Sequence, residues 1–127
     1  MATASTSSRR ILVAEEDHDL REIITAFLEA KGWSVITLES GSALERVCSG
    51  LTIAVLDVRS VGTAGFKAFE KLRGVDPRLP VVVIASFGDA FVVKRARQLG
   101  AACVLEKPFD LEELENALME CCASLQH

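Results

Sequence analysis

Three short stretches carry the residue types from which a reactive site can be built. Ile53-Ala-Val-Leu-Asp57 is an apolar run that ends in a carboxylate. Ile11-Leu-Val-Ala14 runs into Glu15, Glu16 and Asp17, and Cys103-Val-Leu105 runs into Glu106, Lys107 and Pro108. A short apolar run bounded by polar or turn residues has the pattern of a strand buried on both faces, as in a parallel sheet. In open α/β sheets, ligands bind outside the carboxyl ends of such strands. If the three strands are parallel, the carboxylates of Glu15, Glu16 and Asp57 meet the Lys107 ammonium in one cleft. That cleft suits a divalent cation and a phosphoryl group.

Each residue also has a plainer reading. The acidic triplet alone is a solvated loop whose charges favour the N-terminus of a following helix. Asp57 alone is a loop-capping residue, and Lys107 alone is a surface lysine. Together they are harder to set aside. A carboxylate at the end of a buried strand needs a charged or hydrogen-bonding partner, and nearby like charges make its position worse. A cation therefore has a physical task there. Mg2+ takes oxygen ligands, often one or two carboxylates with a carbonyl and waters, so His18 reads as a loop residue rather than a ligand. Lys107 precedes Pro108, which biases it to extended geometry at the kind of bond where cis peptides occur. A lysine held there can meet a phosphoryl oxygen as a point charge.

The elements that must position these groups alternate along the chain. Strand one is Arg10 to Ala14. A helix follows, capped by Asp19, with Leu20, Ile23, Ile24, Phe27 and Leu28 at helical spacing and Gly32 at its end. Trp33 to Leu38 reads as strand two, and Ser42 to Cys48 as a short helix with Leu44, Val47 and Cys48 inward. Strand three carries Asp57. Phe66 to Leu72 is a helix with Phe66, Phe69 and Leu72 inward, followed by a turn at Asp76-Pro77-Arg-Leu-Pro80. Val81 to Ile84 is strand four, Ala90 to Leu99 a helix ended by Gly100, and Ala102 to Leu105 strand five. A last helix starts after Asp110, with Glu113 placed for a capping box and Leu111, Leu114, Leu118 and a cysteine as its stripe. Five strand–helix units predict a parallel sheet with helices on both faces and right-handed crossovers.

Composition narrows the function classes. The chain has 127 residues, half of them apolar, with a formal net charge of -4. It fits one domain, and its mixed charge lacks the basic patch of a nucleic-acid binder. No apolar run approaches the roughly 20 residues of a membrane span. Residues 1–9 read as a disordered tail or linker, rich in small polar residues and without the apolar core of a secretory signal, and residues 10–127 as the domain. Cys48, Cys103, Cys121 and Cys122 form no Cys-x-x-Cys pair and read as free thiols in a reducing cytoplasm.

At this point the residues resemble the receiver domains of two-component response regulators, over residues 10 to 122. The motifs are Ile11-Leu-Val-Ala-Glu-Glu-Asp17, Val55-Leu-Asp57-Val with Gly65-Phe66, Phe87-Gly-Asp89, Gly100-Ala101 and Glu106-Lys-Pro-Phe109. None is specific alone; their order and spacing are. The resemblance implies a flavodoxin-like (CheY-like) α/β fold, with five parallel strands and five helices on both faces. It implies that Asp57 is the phosphoacceptor, taking a phosphoryl group from a phosphohistidine on a histidine kinase or histidine phosphotransfer protein. Glu15 and Glu16 then match the acidic pair that holds Mg2+ together with Asp57 and the backbone carbonyl of Arg59, and Lys107 matches the lysine that pairs with the phosphoryl group. A cytoplasmic module with no direct nucleic-acid or membrane contact is expected. A homodimer is expected through the face formed by the fourth helix, the fifth strand and the fifth helix.

Several positions depart from the family pattern. Glu16 stands where aspartate is usual. Ala85 takes the place of the switch Ser/Thr, with Ser86 as the neighbouring hydroxyl that can contact the phosphoryl group. Val104 replaces the switch aromatic, and Val61 replaces a proline. The chemical half of the site is retained and the readout half altered. That leaves a rival from another class: a degenerate receiver that docks partners without a phosphorylation switch. A turnover enzyme on a small phosphorylated metabolite is the weakest reading, because no Gly-rich phosphate loop and no spare general base are in view.

Overall fold

The computed structural model describes residues 9–39, 50–59 and 64–125. Its five strands are β1 (Arg10–Ala14), β2 (Ser34–Leu38), β3 (Ile53–Asp57), β4 (Val81–Ala85) and β5 (Cys103–Glu106). They form one sheet in the order β2-β1-β3-β4-β5, and every neighbouring pair is parallel. The helices among the described residues are α1 (His18–Ala30), α2 (Ala64–Val75), α3 (Ala90–Gln98) and α4 (Leu111–Leu125). The helix expected over Ser42 to Cys48, and the loop positions Val61 and Gly62, lie outside the described residues.

The sheet is buried on both faces because its strands are apolar at nearly every position, and alternation divides them between two cores. Leu12, Ala54, Leu56 and Val83 pack with Phe66, Phe69 and Leu72 of α2 and with Val92 and Ala96 of α3. Ile11, Val13, Ile53, Val55 and Ile84 pack on the other face with Ile24 and Leu28 of α1 and Leu114 and Leu118 of α4. Each helix therefore lies where its apolar stripe meets a strand face. Gly65 sits where α2 crosses the end of β3. A Cβ there would meet the Val58 side chain at 2.9 Å and its Cα at 3.1 Å, so close helix–strand packing needs glycine.

The elements follow the sequence signals, with several differences. His18, expected in the loop, opens α1; α2 runs from Ala64 to Val75 rather than from Phe66 to Leu72, β4 continues to Ala85, and α3 ends at Gln98 rather than Leu99. The α1 N-cap is Asp17, not Asp19: its carboxylate accepts from the Leu20 amide, and Asp19 lies in the first turn. Ile23, expected inward, is exposed on the outer edge of the α1 stripe. β2 starts one residue later than expected, at Ser34. β5 runs from Cys103 through Glu106 rather than from Ala102 to Leu105. The expected stop of α1 is present in full. Gly32 takes a φ of 96°, and the amides of Gly32 and Trp33 donate to the carbonyls of Glu29 and Leu28, closing the helix end with paired bonds. Asp110 and Glu113 make the reciprocal capping box, at 2.8 and 3.1 Å.

Cys103, Cys121 and Cys122 are free thiols, as expected. Burial pushes the Cys103 thiol up, and takes that of Cys121 up to about 11. Both are therefore protonated and poorly nucleophilic. No helix among the described residues is long and apolar enough to cross a membrane.

Candidate functional site

The carboxyl ends of β1, β3 and β5 lie side by side or one strand apart, so the parallel topology assembles the acidic cleft. Glu15 continues the alternation of Ile11 and Val13 into the interior and is buried, 1% exposed. Its Oε2 accepts from the Asp17 amide at 3.1 Å and from Lys107 Nζ at 3.2 Å. Its backbone carbonyl accepts from the Arg21 guanidinium at 2.7 Å, which ties the β1 end to α1. Glu16 falls on the opposite side of the alternation and is half exposed.

Asp57 ends β3 with its side chain 4% exposed and Oδ2 3.6 Å from Lys107 Nζ. Lys107 follows β5. Its amide donates to the Ala85 carbonyl at 2.9 Å, and its peptide bond to Pro108 is cis. One ammonium thus faces two buried carboxylates. Glu15 Oε1 and Asp57 Oδ2 are buried without a hydrogen-bond donor, an expensive condition for charged oxygens. Burial raises the Glu15 carboxyl from the ordinary 4.5 to about 7. The facing Asp57 adds to that rise, and the Asp17 amide and Lys107 offset part of it. Around neutral pH, Glu15 therefore exchanges a proton.

Arg59 is the residue whose side chain was missed in the sequence, where it counts only for its backbone carbonyl. Its guanidinium stands 3.6 Å from Glu16 Oε1 and 3.9 Å from Asp57 Oδ2. The signal was present: a cation two residues beyond an acidic strand end is a natural counter-ion. Among the described residues, no three acidic, histidine or cysteine side chains gather into a ready metal cage. The donor chemistry nevertheless fits a hard cation: carboxylates of Glu15, Glu16 and Asp57, with two buried oxygens lacking any donor.

Ala85 is fully buried in the α2–α3 core and carries no hydroxyl, while Ser86 is exposed. Val104 is partly buried against the same core. Phe87, next in the loop, is 81% exposed. Gly88 donates its amide to Glu106 at 3.0 Å, and Asp89 caps α3 by accepting from the Val92 amide. These contacts brace the loop at the end of β4.

This fold and cleft define a class, and the comparisons agree. The family model of the response regulator receiver domain matches residues 11–119, and the chain belongs to that family. It is 21% identical over 113 residues to sporulation initiation phosphotransferase F of Bacillus subtilis, covering 87% of this chain and 91% of that one. It is 29% identical over 104 residues to a cyclic di-GMP phosphodiesterase of Thermotoga maritima, covering 82% of this chain. The match takes in only 28% of that phosphodiesterase and 23% of the regulator DctD of Rhizobium meliloti. Among solved structures, the HemR receiver domain from Leptospira biflexa superposes with a TM-score of 0.81 at 28% identity, over 90% of this chain and 94% of that one. A receiver domain from Clostridium thermocellum gives 0.82 at 20% identity, over 93% and 97%, a likeness of fold alone. Receiver domains are signalling modules rather than turnover enzymes, and they interact with histidine kinases or phosphotransfer proteins.

Proposed function

We propose that this receiver accepts a phosphoryl group on Asp57 from a phosphohistidine of a kinase or phosphotransfer protein, with Mg2+ bound at the cleft. The observation that carries this reading is a buried Asp57 carboxylate, 3.6 Å from Lys107 Nζ, with an oxygen that has no donor. An Asp57 oxygen attacks phosphorus as the phosphorus–nitrogen bond to the donor imidazole breaks, leaving an acyl phosphate on Asp57. Phosphoryl transfer asks a protein mainly for positioning and charge neutralisation. β3 supplies the first and Lys107 part of the second. Glu15, Glu16, Asp57 and the Arg59 backbone carbonyl would hold Mg2+, which supplies the remaining neutralisation when bound. The test is intact mass after treatment with a small phosphodonor and Mg2+. One added phosphoryl group is expected on the natural chain and none on Asp57→Asn; labelling that survives the change overturns the assignment.

The module's compartment on this reading is the cytoplasm, where its donors' phosphohistidines are presented. A homodimer through the face of α3, β5 and α4 belongs to this reading: α3 exposes Lys94 and Arg97, α4 exposes Glu120, and Arg97 and Glu120 both act on Cys103 of β5.

Ala85 supports a second element of the reading, a weakened readout. A hydroxyl at this position would bond the new phosphoryl oxygen, and a hydrogen bond to a charged group is worth about 1.5–3 kcal/mol. A ligand shifts an equilibrium only by its differential interaction with the two states. Loading Asp57 with beryllofluoride is therefore expected to give small amide shifts at the ends of β4 and β5, and Ala85→Thr is expected to enlarge them. Large concerted shifts reaching Val104 in the natural chain would refute this. The docking-module rival draws on the same Ala85. It predicts partner binding that is indifferent to Asp57→Asn.

A further inference from the structure

The cleft holds two cations of different character. Lys107 is 27% exposed and lies 3.2 Å from buried Glu15. Arg59 is 47% exposed, and neither of its ion pairs is closer than 3.6 Å. Lys107 is thus anchored in the interior, while the guanidinium rests across the mouth on contacts too long for hydrogen bonds. Its two partners, Glu16 and Asp57, come from the ends of different strands. They are also two of the carboxylates a divalent cation needs. Glu16 is drawn outward to Arg59, at 54% side-chain exposure, and no three-ligand cage is assembled among the described residues.

We infer that Arg59 is an exchangeable counter-cation: its guanidinium neutralises Glu16 and Asp57 in the metal-free protein, and a divalent cation binds only by displacing it. This rests on the proposed Mg2+ site and adds a control over its occupancy. Electrostatics favours exchange over co-occupancy. With all three carboxylates ionised, Lys107 and Arg59 leave one negative charge, whereas Lys107 and a divalent cation leave none. A guanidinium retained beside the metal would add repulsion at ion-pair distance. The arrangement keeps the acidic mouth from standing uncompensated when metal is scarce, and it sets the affinity for metal below that of the same carboxylates alone.

The experiment is calorimetric titration of Mg2+ into the natural chain, Arg59→Met and Arg59→Gln. Removing the half-exposed guanidinium, paired to exposed Glu16 and to buried Asp57, is expected to tighten Mg2+ binding about tenfold in both neutral variants. Thermal unfolding supplies a second readout that a merely structural role would not reproduce. In chelator the variants should melt below the natural chain, yet their midpoints should rise more on adding saturating Mg2+. Asp57→Asn in the Arg59→Met background should abolish the gain. Equal Mg2+ affinity with and without Arg59, or no Mg2+ binding by any of the proteins, would overturn the inference. The phosphoacceptor reading is judged separately by mass. Labelling lost in Asp57→Asn, alongside equal affinities, would leave that reading standing and remove only the role of Arg59.

Discussion

Lys107→Met is expected to destabilise the protein by about 2 kcal/mol at about pH 8 in chelator. This is less than the roughly 3–5 kcal/mol typical when one partner of a buried pair is removed, because the ammonium keeps contact with solvent. Methionine keeps most of the aliphatic stem, so the effect isolates the charge. The ammonium lies 3.2 Å from Glu15 and 3.6 Å from Asp57, and both carboxylates are nearly inaccessible to water. Without it they repel one another in a medium that screens poorly. Two features separate this from ordinary packing loss. The deficit should shrink as pH falls, because protonating Glu15 relieves the repulsion. It should also shrink on adding Mg2+, which supplies the missing positive charge. Denaturant unfolding at several pH values checks both. A deficit that is flat with pH would mean that repulsion between Glu15 and Asp57 is not what the ammonium relieves.

The legibility of the fold and of the site differed for physical reasons. β3 could be placed to the residue, because a strand buried on both faces must be apolar throughout and Asp57 ends the run. Helix stops were equally plain where a positive-φ glycine follows a periodic stripe, as at Gly32 and Gly100. The edge of a stripe was not. Ile23 fits the spacing of α1, yet it lies beyond the arc that the sheet covers. The cap was ambiguous because Asp17 and Asp19 are both good caps, and the choice depends on where the β1 loop turns. In the site, Glu15 and Glu16 look alike as neighbouring acids. Strand alternation through Ile11 and Val13 does separate them, one inward and one outward, and that signal was available. The path of the Arg59 side chain was not, because a long flexible cation chooses its partners only once the strand ends are assembled.

The opposite change at the same site should stabilise the protein. Glu15→Gln is expected to be close to neutral at about pH 5 and to gain about 2–3 kcal/mol over the natural chain by about pH 8 in chelator. The sign follows from linkage. The Glu15 carboxyl titrates near 4.5 in the unfolded chain and at about 7 in the folded one, chiefly because burial disfavours its charge. Between those values the native state holds more protons than the unfolded state, so raising the pH costs native stability. Glu15's contribution is fully present below about 4.5 and is lost as pH rises through about 7. Glutamine is uncharged throughout and close in shape to the protonated acid, so it keeps what the natural chain loses. Its amide also takes the place of the protonated acid as a donor toward Asp57, the side-chain contact that helps raise the Glu15 carboxyl. Titrating groups remote from Glu15 move both proteins alike and cancel in the difference, while Asp57 and Lys107, which face it, titrate together with it and belong to the measured gap. The measurement is therefore the gap between the two unfolding free energies across pH. A gap that stays constant from about pH 5 to pH 8 would mean that Glu15 carries its charge in the folded state at all these values, held there by Lys107 and the Asp17 amide.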